Sequence, residues 1–187
     1  MTSSLDPSSF GNVDVIYTTN VFLNVTVDFD QRKLIGYVDL TMKALQYTSE
    51  VILDYQGIDL VSAHYKFLSD PTFTLAAYDT YDSPYLGSAL RIYLTDKVNT
   101  GDQLLVRVYY STNENAIAIN WLNPAQTASQ TLSYMFTECQ DIHCRSVAPM
   151  QDTPAIKMPY QAEVRVVNTG YVVRMSANST GNSTTQD

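Results

Sequence analysis

The chain has 187 residues, of which 45% are hydrophobic, 16% charged and 11% aromatic, an ordinary composition for one globular domain with a sizeable core. Its formal net charge is −8, from 11 basic and 19 acidic residues. This balance argues against nucleic acid as a partner, because such binding depends on clustered Lys and Arg. No apolar run approaches the roughly 18 residues of a membrane span, and the first residues lack the basic and apolar regions of a signal peptide. The sequence therefore predicts a cytoplasmic protein that binds neither nucleic acid nor membrane.

Two alternating runs near the start of the chain predict an antiparallel hairpin. Apolar and polar residues alternate from Thr18 to Phe29 and again from Leu34 to Ala44, which is the period-2 pattern of half-buried strands. The polar residues 30–33 between the runs are of turn size.

Shorter apolar runs predict the rest of a β-domain. Further strands are predicted over residues 51–55, 60–67, 72–77, 89–94, 103–111 and 161–167, with polar connections at 78–88 and 95–102. No segment of ten or more residues has a convincing helical period. We therefore predict an all-β fold, an antiparallel saddle-like sheet or sandwich, over residues 9–177. A disordered tail is predicted at residues 178–187, which are almost without apolar side chains.

Residues 113–160 differ from the rest of the chain. They contain the only Trp, both Cys and one of the two His, in long stretches without alternation. Long loops inside a compact domain are usually functional or disordered, and these are too apolar and aromatic for disorder. The most informative stretch is Phe136-Thr137-Glu138-Cys139-Gln140-Asp141-Ile142-His143-Cys144-Arg145, where we expect any site to lie.

Two kinds of site in this stretch would use its sulfur and imidazole groups. Cys139, His143 and Cys144 could contribute to a metal site, but structural zinc usually takes four ligands and His64 is far away in the sequence. A Cys nucleophile could pair with His143, but adjacent residues of an extended chain point in opposite directions. The sequence favours a third interpretation of the two cysteines, as small buried apolar residues.

A polar binding loop is the other candidate. Glu138 and Gln140 are two residues apart, so on an extended segment both point to the same side. A carboxylate beside an amide carbonyl can accept hydrogen bonds from an ammonium group. Asp141 would point the other way.

Four segments carry a resemblance to a known family, namely residues 118–127, 134–146, 151–157 and 160–164. Their motifs, Glu-Cys-Gln-Asp-Ile-His-Cys-Arg and Gln-Asp-Thr-Pro among them, resemble the N-terminal domain of zinc aminopeptidases of peptidase family M1, in the leukotriene A-4 hydrolase group. The resemblance covers residues 9–177. It implies a saddle of β-sheet packed over a catalytic domain, with one loop that lines the active-site cleft and contacts the free amino terminus of a peptide substrate.

The resemblance also implies which residues contact the substrate. The matching loop is Glu138, Cys139 and Gln140. The wider family has Gln first and Glu last in this triplet, so the carboxylate and the amide are swapped here. Asp141 replaces the small residue of the leukotriene A-4 hydrolase group and adds a negative charge.

The catalytic motifs of the family are missing from the sequence. His64 and His143 cannot form His-Glu-x-x-His, the motif that holds zinc on one helical face, and no Met is followed by Glu as in Gly-x-Met-Glu-Asn. The zinc of the full-length family therefore has no predicted site here, and we expect the chain alone to be inactive. We expect a truncated product, an excised domain or a gene fragment, with an exposed apolar face toward the missing catalytic domain. The alternative is a stand-alone binding or decoy module.

Overall fold

The computed structural model describes residues 5–167 and 170–181, and that part of the chain is almost entirely β-structure. The strands are Ile16–Asp28 (β1), Lys33–Ala44 (β2), Thr48–Tyr55 (β3), Ile58–Phe67 (β4), Thr74–Ala76 (β5), Tyr78–Ser83 (β6), Gly87–Val98 (β7), Gln103–Thr112 (β8), Ile119–Leu122 (β9), Tyr134–Thr137 (β10) and Tyr160–Val166 (β11). Two short 3-10 helices cover Pro124–Gln126 and Cys144–Ser146. Within the described residues no helix is long and apolar enough to cross a membrane. The predicted all-β class is confirmed.

The strands form three sheets. The six-stranded sheet has the order β11-β1-β2-β8-β4-β5, the three-stranded sheet the order β3-β7-β6, and β9 pairs with β10 in a third sheet. Paired strands are antiparallel, except that β1 and β11 are parallel. The predicted hairpin is the β1–β2 pair, in which Val25 lies opposite Gly36.

The six-stranded and three-stranded sheets share one hydrophobic core. Val38 and Leu40 of β2 and Val106 of β8 belong to the same buried cluster as Leu53 of β3 and Leu90 of β7. The alternating sequence pattern of these strands is the cause, because it directs every second side chain to one face of the sheet. Burial of that face supplies the main free energy of folding.

A cluster of aromatic and charged side chains lies on the opposite face of the six-stranded sheet. The rings of Tyr37 and Tyr109 lie 5.4 Å apart, and His64 meets Tyr109 edge-on at 5.6 Å. The guanidinium of Arg107 stacks 4.1 Å from the Tyr37 ring centre and donates hydrogen bonds of 2.6 and 2.7 Å to Asp39. The hydrogen bonds to Asp39 raise the pKa of Arg107, so this face carries a fixed cation–carboxylate pair.

A second, smaller cluster attaches the β9–β10 sheet to the end of the hairpin. Val27 of β1, Leu34 of β2 and Ile119 of β9 are buried together. Phe29 meets Trp121 edge-on, with ring centres 5.5 Å apart. These contacts fix β10, and with it the start of the segment 138–145, relative to the main sheet.

The prediction of a loop at residues 78–88 is wrong. Residues Tyr78–Ser83 form β6, which pairs antiparallel with β7 through a tight turn at 84–86. Most β6 side chains are exposed because β6 lies at the edge of its sheet. A strand with no buried face lacks the alternation by which strands are recognised in a sequence.

Two further boundaries differ from the prediction. β7 does not end at residue 94 but continues to Val98, which is fully buried and pairs with Thr48 beyond an irregularity in the ladder. The stretch 113–160 is less irregular than predicted, since it contains β9, β10 and both 3-10 helices. Of the predicted disordered tail, residues 178–181 are described and exposed, whereas residues 182–187 lie outside the described part.

The close approach of β1 and β2 at Gly36 gives a test of the hairpin. A β-carbon at position 36 would overlap the carbonyl oxygen of Asn24 and lie 2.9 Å from Cα of Val25. Because both neighbours are backbone atoms of a paired strand, we expect Gly36→Ala to lower the free energy of unfolding by about 2–3 kcal/mol. Urea denaturation measures this change. Lys43→Ala, on the exposed side of the same strand, is the control, and we expect it to change the free energy of unfolding by less than about 0.5 kcal/mol. An unchanged unfolding midpoint for Gly36→Ala would contradict the β1–β2 register.

Candidate functional site

β10 leads directly into the stretch that the sequence singled out. Tyr134 and Phe136 of β10 are 54% and 40% exposed, and Glu138 is exposed as well. The Glu138 N–H donates a 2.9 Å hydrogen bond to the Ala118 carbonyl, so the pairing of β9 and β10 extends one residue past the strand. Residues 134, 136 and 138 therefore lie on one exposed face of an extended segment.

After Glu138 the chain leaves the extended conformation. The Gln140 N–H donates a 3.1 Å hydrogen bond to Oε1 of Glu138, and the peptide bond between Gln140 and Asp141 is cis. The His143 N–H donates a 2.8 Å hydrogen bond to the Cys139 carbonyl. Glu138 and Gln140 are both exposed, but they flank a turn rather than a strand. The Glu138 carboxylate keeps free acceptor positions, because one N–H uses only one of its lone pairs.

The interpretation of Cys139 and Cys144 as small buried apolar residues is wrong. The two form a disulfide, with their Cα atoms 4.6 Å apart, and both are only half-buried. The turn that begins at Cys139 brings the two side chains together, which an extended segment could not do. The bond closes a ring over residues 139–144, with Gln140 inside the ring and Glu138 immediately before it.

Arg145, the residue after the disulfide, is a deeply buried charged residue, with 1% of its side chain exposed. Its Nη1 donates a 2.6 Å hydrogen bond to the Leu86 carbonyl and its Nη2 a 2.9 Å bond to the Ser8 carbonyl. Its Nε donates to Oδ2 of Asp152 at 3.1 Å, and its Nη1 lies 3.8 Å from Oδ1 of Asp54. The guanidinium thus joins the N-terminal segment, the β6–β7 turn, β3 and the segment after the loop.

Asp54 completes this buried network from β3. Its carboxylate accepts a 2.6 Å hydrogen bond from the Ser9 hydroxyl and bonds of 2.7 and 3.0 Å from the N–H groups of Phe10 and Asp152. Burial raises the pKa of Asp54, while the nearby Arg145 and these three donors oppose the rise. A buried carboxylate with this many donors holds several chain segments at fixed positions.

Gln151 fastens the same segment to β1. Its Oε1 accepts hydrogen bonds from the N–H and the hydroxyl of Thr18, at 2.9 and 3.0 Å, and its Nε2 donates a 2.8 Å bond to the Ile16 carbonyl. β1 has a register irregularity between Thr18 and Asn20. β11 pairs with β1 only from Val21 onward, so the buried amide supplies hydrogen-bond partners to the part of β1 before that point.

Arg145, Asp54 and Gln151 were not among the site residues predicted from the sequence. The sequence contains one indication of this buried network, namely Asp54, a charged residue within the otherwise apolar run Val51-Ile52-Leu53-Asp54-Tyr55. A buried charge must be paired, so this Asp required a basic or donor-rich partner. The identity of that partner depended on the tertiary fold, because Arg145 lies far from Asp54 in the chain.

An exposed apolar surface borders the loop. Its side chains, which we call the β10 apolar surface, are Leu132, Tyr134, Phe136 and Val172. The rings of Tyr134 and Phe136 stack with centres 6.0 Å apart, and Leu132, Tyr134 and Val172 line one shallow hollow. Val172 is 73% exposed, although the adjacent Tyr171 stacks on Phe29 at 4.1 Å. Large contiguous apolar surfaces mark interaction sites, which makes this surface a candidate for one.

The residues that the structure describes do not fit a catalytic zinc site. Across residues 5–167 and 170–181, no group of three or more His, Cys, Asp or Glu side chains is placed to hold a metal ion. His64 lies on the six-stranded sheet beside Ser62, whereas His143 lies on the loop. Both sulfurs near His143 are engaged in the disulfide.

The comparison with protein families identifies the domain. Residues 13–187 match the family described as the peptidase M1 N-terminal domain. The chain belongs to this family. It is 33% identical over 164 residues to leukotriene A-4 hydrolase of Xenopus laevis, which covers 86% of this chain and 26% of that protein. It is 31% identical over 180 residues to leucine aminopeptidase 2 of Yarrowia lipolytica, covering 94% of this chain and 27% of that protein. The chain thus spans about a quarter of the length of these relatives.

Solved structures agree with this assignment. Yeast leukotriene A4 hydrolase in complex with bestatin superimposes with a TM-score of 0.77 at 26% identity, over 87% of this chain and 25% of that one. An M1 zinc metallopeptidase of Deinococcus radiodurans gives a TM-score of 0.57 at 20% identity, over 81% of this chain and 32% of that one, which supports the fold alone. The resemblance stated from the sequence motifs is confirmed.

Because the Arg145 guanidinium joins several chain segments, we expect that another cationic side chain at this position cannot maintain the stability of the domain. We expect Arg145→Lys to lower the free energy of unfolding by roughly 2–3 kcal/mol, because an ammonium group cannot reach the separate acceptors that the guanidinium joins. Thermal or urea unfolding measures the change. Arg165→Lys is the matched control, since Arg165 is 59% exposed and pairs with Glu163 at the surface, and we expect it to change stability by less than about 0.5 kcal/mol. Equal stabilities of the two variants would show that the network does not hold the fold.

Proposed function

We propose that this chain forms the wall of an aminopeptidase active site that binds the free amino terminus of a peptide. The observation that carries the proposal is the exposed Glu138 carboxylate, which follows the exposed face of β10 and is flanked by the exposed Gln140. Membership of the peptidase M1 N-terminal domain family supports it, as do relatives that bear the name leucine aminopeptidase.

The chemistry of the loop suits an ammonium group. An ammonium has three donors and no acceptor, so it requires a set of acceptors and favours negative charge. Glu138 offers a carboxylate with free lone pairs, and Gln140 offers an amide oxygen. The exposed Asp141 adds a second negative charge. The swapped order of carboxylate and amide places the charged acceptor on the β10 side of the loop.

The β10 apolar surface supports a second part of the proposal. We infer that it packs against a catalytic domain corresponding to the remainder of the longer relatives, of which this chain spans about a quarter. Residues of that domain would hold the zinc ion of such an enzyme, which would supply an activated water for attack on the peptide bond. Burial of Tyr134 and Phe136 in this contact would set Glu138 at the edge of the shared cleft. The present chain would then bind and orient the substrate amine.

Leucinamide tests the amine-binding role on the isolated chain. We expect its free amino group to shift the backbone amide signals of residues 138–141 in NMR titrations, with a dissociation constant of roughly 1 mM, since one or two charge-assisted hydrogen bonds supply about 4 kcal/mol. Glu138→Gln removes the charge with little change of shape and should weaken the binding roughly tenfold or more.

Two controls accompany this titration. N-acetylated leucinamide lacks the ammonium and should leave the spectrum unchanged. Glu114→Gln removes an exposed carboxylate elsewhere and should leave the affinity unchanged. Equal binding of both ligands, or equal affinity of Glu138→Gln and the unmodified chain, would contradict the proposed role of Glu138.

A further inference from the structure

We propose that the Cys139–Cys144 disulfide is a reversible redox latch that fixes the loop between Glu138 and Arg145. In the oxidised state the bond holds Gln140 and its neighbours in one conformation. In the reduced state the same segment is released. The latch itself depends only on the fold, whereas its effect on amine binding rests on the proposed function.

The two ends of the disulfide differ in how firmly the protein holds them. Cys144 begins a 3-10 helix whose next residue is Arg145, and the Arg145 side chain is 1% exposed and bonded to several chain segments. Cys139 stands between the exposed residues Glu138 and Gln140. The bond therefore connects the solvent-facing part of the loop to a rigid part of the domain. Cleavage of that connection affects the exposed part and leaves the anchor in place.

Few other interactions hold the loop. The bonds within it are the His143 N–H to the Cys139 carbonyl at 2.8 Å and the Gln140 N–H to Glu138 at 3.1 Å. Moreover, among the described residues the buried Nδ1 of His143 and the buried hydroxyl of Ser146 have no hydrogen-bond partner. These two groups therefore add no hydrogen bond that would hold the loop once the disulfide is reduced.

The position of the bond also permits its reduction. Both cysteines are only half-buried, and the neighbouring Glu138 and Gln140 are exposed, so we expect a small thiol to reach the sulfurs. A thiolate of a dithiol reductant attacks one sulfur, forms a mixed disulfide and displaces the other cysteine as a thiolate, which takes up a proton. The second thiol of the reductant then releases the first cysteine and closes its own disulfide. Two electrons pass from the dithiol to the protein, and two protein thiols result.

The cytoplasmic location predicted from the sequence makes such cycling relevant. Persistent structural disulfides are rare in the cytosol, where those that occur are commonly transient or redox-sensing. A preorganised loop binds a ligand more tightly than one that must first be ordered. We therefore expect the oxidised form to be the better amine binder.

Hydrogen exchange of the intact chain, oxidised and after treatment with dithiothreitol, tests the latch. We expect reduction to accelerate exchange of amides within residues 139–144, above all that of His143, by roughly tenfold or more, because a short closed loop gains conformational freedom. Exchange in β2 and β8 should be unchanged. Reoxidation should restore the slow exchange. The double variant Cys139→Ser/Cys144→Ser should exchange like the reduced chain, both with and without dithiothreitol.

Two results of this experiment would overturn the proposed latch. Equal exchange of residues 139–144 in the two redox states would overturn the latch, as would a bond that dithiothreitol cannot reduce without unfolding the domain. Leucinamide titrations of both forms separate this proposal from the proposed function. A redox-dependent loop that binds no leucinamide in either state would retain the latch and refute amine binding. Tighter binding to the oxidised form would support both.

Discussion

The burial of one guanidinium group constrains most of this domain. Arg145 has hydrogen-bond partners in the N-terminal segment, in the β6–β7 turn and at Asp152, and it lies beside the buried Asp54 of β3. A buried cation without acceptors is too costly to persist. The native positions of these segments therefore depend on one another. The sandwich core brings the sheets into contact, and the Arg145 network determines how the irregular segment 144–153 crosses them.

This constraint explains how a polar loop can be exposed and still have a definite position. Glu138 and Gln140 make almost no contact with the core, but β10 holds the loop on one side and the disulfide to Cys144 holds it on the other. Binding residues need such support from the surrounding structure. If an acceptor is mobile, its ordering on binding costs conformational entropy and lowers the affinity. The covalent part of the support is the part that reduction would remove under the proposed latch.

The sequence predicted the features that depend on local pattern. The β1–β2 hairpin followed from alternation, and the family followed from the motifs around residues 118–164. The edge strand β6 was missed because its side chains are exposed on both faces. The disulfide was not predicted, because two cysteines five residues apart can bond only where the chain turns between them, and the sequence does not show the turn after Glu138. The Arg145–Asp54 pair joins residues far apart in sequence, and no local pattern predicts the partner of a buried charge.

Kinetics of a chimaera would test the central claim most directly. In yeast leukotriene A4 hydrolase, whose matching part superimposes on this chain with a TM-score of 0.77, the N-terminal domain would be replaced by residues 1–187. The kcat/KM for leucine p-nitroanilide would then be measured with and without Glu138→Gln. Our account predicts an active chimaera in which Glu138→Gln lowers kcat/KM roughly 10–100-fold, the loss of one charge-assisted hydrogen bond to the substrate amine. An active chimaera with the same kcat/KM in both forms would contradict it.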